Sequence, residues 1–112
     1  MFPTTFNAFY ADILEKIQND QVFESLDRGN RNEFRIEGDI IYAKTGKSSP
    51  HFLEIPKAHF VRVYDKLLND RKITRKEMHK LLKIYRSSAV STLISKLRYI
   101  GSSTKPIRFW IR

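Results

Sequence analysis

Apolar positions near the start of the chain recur with the period of a helix. Phe6, Phe9, Tyr10, Ile13, Leu14 and Ile17 fall at i, i+3, i+4, i+7, i+8 and i+11, one stripe along a helix, with Asp12, Glu15, Lys16 and Gln18 on the other side. Thr5 is suited to cap this helix and Asn19-Asp20 to close it. The period then changes to two. Phe34 and Ile36 alternate with Arg35 and Glu37, Gly38-Asp39 interrupts, and Ile40 to Ala43 resumes, which predicts a hairpin turning on a glycine free to take positive φ. Phe52 to Ile55 is a third candidate strand beyond a polar loop from Thr45 to Pro50, whereas Val22 to Leu26 is too short to assign. Residues 1–55 are therefore expected to form a helix and a small antiparallel sheet.

A helical period returns after Pro56, whose missing N–H costs nothing in a first helical turn. Phe60, Val63, Tyr64, Leu67 and Leu68 share one face, and the helix should end near Asn69-Asp70. A short strand, Lys72 to Thr74, leads into Thr74-Arg75-Lys76-Glu77, a capping box in which threonine and glutamate satisfy each other's backbone donors. It opens a second helix with Met78, Leu81 and Leu82 inward. Tyr85 to Ser87 makes a tight turn, and Ser87 or Ser88 caps a third helix that buries Ala89, Val90, Leu93, Ile94 and Leu97. Ile107, Phe109 and Ile111 then alternate with Arg108, Trp110 and Arg112 in a strand returning from the loop at 101–106. Two readings are open for Trp110, a cation–π ladder with Arg108 and Arg112 on an exposed strand face or burial beneath the N-terminal helix, and the buried one is preferred.

Length bounds this picture to one compact body, because 112 residues suffice for a single hydrophobic core. An apolar content of 41% excludes a disordered chain. No apolar run is long enough to cross a bilayer and no signal-like leader opens the chain, so a cytoplasmic protein with no membrane partner is expected. The absence of cysteine excludes disulfides and thiolate metal sites, and His51, His59 and His79 are too scattered to suggest zinc. Neither metal nor cofactor is expected.

Charge changes the picture most. Through Pro56 the chain carries 6 basic and 9 acidic residues, and from Lys57 onward 15 basic and 3 acidic, within a net charge of +9. A polyanion-facing surface should therefore come from the C-terminal half.

The element order of residues 56–112, with this charge, resembles the winged helix-turn-helix family. The fold class this implies is α+β, an N-terminal helix and small antiparallel sheet packed on a C-terminal winged helix-turn-helix. The resemblance implies a protein that binds duplex DNA, as a small regulator or DNA-recognition module. A homodimer is left open. In that family the helix after the tight turn lies in the major groove. Carried over, this is Ser88 to Arg98, presenting Ser87, Ser88, Ser91, Thr92, Ser95 and Lys96 outward. Arg86 is the candidate for a bidentate base or phosphate contact. Arg71, Lys72, Arg75, Lys76, Lys80 and Lys83 supply the backbone grip, and Lys105 and Arg108 come from the wing.

Two other readings compete. A protein-interaction module could share the same fold. Asp39, Glu54 and Lys57 resemble the acidic pair plus lysine with which many nucleases hold Mg²⁺, although Lys57 lies one residue beyond the usual spacing and would point to the opposite strand face. Thr45-Gly46-Lys47-Ser48 lacks the upstream glycine of a phosphate-binding loop and reads as a basic hairpin tip.

Overall fold

The computed structural model describes residues 2–24, 31–45, 51–82, 87–104 and 106–112. Their order is α1 (Phe6–Asn19), β1 (Val22–Glu24), β2 (Arg31–Glu37), β3 (Ile40–Thr45), β4 (Leu53–Ile55), α2 (Lys57–Asp70), β5 (Lys72–Thr74), α3 (Arg75–Leu82), α4 (Ser87–Ser95), β6 (Ile100–Thr104) and β7 (Ile107–Ile111). The fold is α+β, with two antiparallel sheets of order β1-β2-β3-β4 and β5-β7-β6.

Local chemistry accounts for the element ends. Thr5 caps α1 by accepting from the Ala8 amide at 3.2 Å, and the stripe Phe9, Tyr10, Ile13 and Ile17 is buried. Gly38 takes φ 65° in the loop that pairs Glu37 with Ile40, so β2 and β3 close as a tight hairpin. β1 is only three residues long and is held by pairing Val22 with Glu33 and Phe23 with Asn32. The capping box forms as expected. Glu77 N–H donates to the Thr74 hydroxyl at 3.1 Å, and Thr74 N–H donates to the Glu77 carboxylate at 3.0 Å.

α2 ends at Arg71, a non-glycine residue in the left-handed region at φ 64°. Its N–H donates to Leu67 O and its carbonyl accepts from Ile111 N, so the end of α2 and the last strand are fixed at one point.

The buried side chains form one cluster running from Phe2 to Phe109 through both halves. Phe2 stacks on Tyr64 at 5.4 Å and meets Tyr99 edge-on at 5.7 Å, while the Tyr64 hydroxyl donates to Pro3 O at 2.8 Å. The periodicity around Phe6 gave no hint of this anchor. α1 packs on β2, α2 and α4, and α4 is also covered by β1. The first sheet thus lies against the helix expected to face a partner.

Trp110 is not in the core. It is 38% exposed, on the face of β7 opposite the buried Phe109. Among the described residues no helix is long and apolar enough to cross a membrane.

Candidate nucleic-acid interface

The β5-β7-β6 sheet turns Ile73, Phe109 and Ile100 into the core, and strand alternation sends their neighbours outward. Register aligns those neighbours in two rows. Lys72, Trp110 and Gly101 form one, and Thr74, Arg108 and Ser103 the other. Lys72, Arg108 and Trp110 are exposed. The Arg108 Nε donates to Ser103 Oγ at 3.2 Å, and that hydroxyl donates to Pro106 O at 3.0 Å, which ties the guanidinium to the hairpin. Lys72, Thr74, Arg108 and Trp110 border an open groove of about 360 Å³.

Trp110 owes its place to Gly101. A Cβ built at position 101 would fall 2.5 Å from Cε2 and 2.9 Å from Cζ2 of the indole, so only glycine leaves room for the ring to lean on the neighbouring strand. A large aromatic covering a strand glycine restores packing that the missing side chain forfeits. Sequence reasoning weighed an exposed Trp110 but preferred the buried one, and passed over Gly101. The signal lay in the alternation that groups Trp110 with Arg108 and Arg112.

The electrostatics of this face follow from where the acids sit. No Asp or Glu occurs in β5, β6 or β7. The C-terminal half has Asp65, Asp70 and Glu77, and the last two both pair with Lys66, at 2.5 and 3.2 Å. The hydrogen bond from Thr74 N–H, then the Lys66 ammonium, hold the Glu77 carboxyl below its ordinary range, and the two carboxylates raise Lys66. Arg71, Lys72, Lys76, Lys80, Arg108 and Arg112 are exposed, whereas Arg75 is half-buried. Lys80 lies apart from the sheet rows, in a groove with Lys66, Glu77 and Leu81. Lys83, Arg86, Lys105 and the side chain of Ser87 lie outside the described residues.

The outward face expected for α4 is corrected by burial. Ser91 is 5% and Thr92 1% exposed, and every residue from Ala89 to Ile94 is buried. Their hydroxyls are used internally. Ser91 Oγ donates to Met78 Sδ of α3 at 3.0 Å, Thr92 Oγ1 to Ser88 O at 2.9 Å, and Ser95 Oγ to Thr92 O at 2.7 Å. Asn32 of β2 donates to Thr92 Oγ1 at 3.4 Å. Lys96 turns its ammonium over the Phe23 ring, 5.9 Å from the centroid. The helix also ends at Ser95 rather than Arg98. Ser88, half-buried in the first turn, keeps partial access.

Asp39 and Lys57 do meet, but as an ion pair. Lys57 opens α2 instead of lying on a strand, and its ammonium reaches Asp39 Oδ2 at 2.9 Å and sits over the Tyr10 ring. That hydrogen bond lowers the Asp39 carboxyl. Burial, then the charges of Asp39 and Glu54, push the Tyr10 phenol up to about 12. Among the described residues no group of three or more His, Asp or Glu side chains could hold a metal.

Comparison with protein-family models, curated proteins and solved structures finds no match.

Proposed function

We propose that this chain binds nucleic acid through a winged helix-turn-helix C-terminal half, gripping phosphates with the outer face of β5-β7-β6 and not with the length of α4. The observation that carries the reading is that this face presents Lys72 and Arg108 on strands without a single acidic residue, while the Glu77 carboxylate that Thr74 holds at its edge is paired with Lys66. Support for the winged-helix part comes from the order α2, β5, α3, α4, β6, β7 and the strand order β5-β7-β6. Arg71 and Arg112, both exposed at the end of the ladder where Lys72 pairs with Trp110, extend the positive field there.

With α4 covered by β1 and Asn32, contacts to phosphate outweigh contacts to base edges, and binding tolerates many sequences. Duplex DNA is the partner implied by the family resemblance. Gel-shift titration over a range of salt tests the reading. Affinity should fall steeply as salt rises, and Lys72→Ala with Arg108→Ala should weaken binding and reduce the salt slope by roughly 1 per lost phosphate contact. A double variant that binds as well as the unmodified protein would sink the proposal.

A further inference from the structure

We infer that Trp110 is a stacking platform for an unpaired base, so that the face of β5-β7-β6 takes single-stranded nucleic acid in preference to duplex. This rests on the nucleic-acid reading above and names its partner. Trp110 is the only tryptophan of the chain, and it stands 38% exposed in the middle strand of the sheet. Lys72 lies directly across from it on β5, and Arg108 projects from the same face two residues earlier on β7. An indole between two cations matches the chemistry of a nucleotide, whose base offers a π face and whose linkages offer negative charge.

Glycine weakens a strand interior, and a β-branched residue at position 101 opposite a smaller partner would close the same ladder better. Instead Gly101 provides the space in which the indole settles against the sheet. The residue as a whole stays 38% exposed. A ring already resting against the sheet loses less entropy when a base stacks on it than a ring that must first be ordered.

Duplex cannot use this feature. In a paired helix the base faces are covered by their neighbours, and only edges and phosphates remain accessible to a sheet surface. Duplex would engage Lys72 and Arg108 and leave the indole idle. An unpaired strand engages all three. Because every base has a π face, the contact carries little sequence preference.

Indole fluorescence, excited beyond the absorption of the tyrosines, reads this site alone because Trp110 is the one tryptophan. An oligothymidylate of about a dozen nucleotides, titrated into the unmodified protein at low salt, should quench the indole saturably, and a duplex of equal length should bind with little quenching. Trp110→Ala should weaken single-strand binding roughly 5- to 150-fold while changing duplex binding little, and Trp110→Phe should retain much of the affinity. Circular dichroism establishes that each variant is folded. Oligothymidylate that binds without altering indole emission, with Trp110→Ala harmless, overturns stacking and leaves phosphate gripping intact. Failure of both nucleic acids to bind at low salt removes both readings. Equal quenching by polyglutamate reduces the face to an unspecific polyanion surface and overturns the inference.

Discussion

Asn32 on β2 donates its side-chain amide to the Thr92 hydroxyl on α4 at 3.4 Å, and each residue is 1% exposed. The pair joins the N-terminal sheet to the helix that a groove-reading protein would turn outward. Buried hydroxyls contribute through satisfied hydrogen bonds, and removing one partner leaves the other in need. Thr92→Ala should therefore lower unfolding free energy by about 1–3 kcal/mol, measured by urea denaturation. Affinity of the folded protein for nucleic acid should not change. A variant of unaltered stability with impaired binding would restore Thr92 to the interface.

Gly101 and Trp110 give a second, independent test. Gly101→Ala introduces a methyl group where the indole already sits, so the ring must move away from the sheet. The overpacking should cost about 1–3 kcal/mol and shift the indole emission to longer wavelength. Unchanged emission and stability would show that the ring does not lean on position 101.

How far these relationships could be read from sequence depended on whether the signal was local. The stripe from Phe6 to Ile17, the hairpin about Gly38 and the capping box at Thr74 each depend on neighbours within a turn or two, and all three form. Alternation likewise set Trp110 on the side opposite Phe109. What failed was the rule that a tryptophan belongs inside, because the space that receives it comes from Gly101, a partner known only once the register is fixed. The serine-rich helix misled for a related reason. A short hydroxyl can donate to its own helix or to a sulfur across the core, so Ser91 and Thr92 satisfy themselves in burial as lysines could not. Phe2 had no periodic neighbour to mark it.

Arg71 separates stability from binding. An L-residue in the left-handed region is strained where glycine is not, and Arg71 holds φ 64° after α2. Arg71→Gly should leave the protein as stable or more stable, by up to about 1 kcal/mol, yet weaken nucleic-acid binding by removing one exposed cation. Thermal unfolding and gel shift together check both directions. A marked loss of stability would mean that the side chain, rather than the turn, matters there.

Alkaline pH acts on the tyrosines. Tyr10 donates to Asp39 O at 2.6 Å, and its phenol is raised from 10.0 to about 12. Tyr99 donates to Asp12 at 2.7 Å and is raised as well, through burial first and that carboxylate second. Each phenol holds its proton more tightly in the fold than in the unfolded chain. The stability they contribute is complete below about pH 10 and is lost as pH climbs through the folded-state values. Tyr10→Phe should flatten part of this decline between pH 10 and 12, seen as a smaller change in urea midpoint than for the unmodified protein. Parallel declines in the two proteins would remove Tyr10 from the alkaline transition.

Of the three strands of the second sheet, the middle one comes last in chain order. β5 and β6 both flank β7, so neither can complete its ladder until Ile107 to Ile111 have left the ribosome. Until that moment Lys72 stands beside neither Trp110 nor Arg108. A nascent or truncated chain ending before Ile107 is consequently without the surface assigned here to nucleic acid, whatever helices it has already formed.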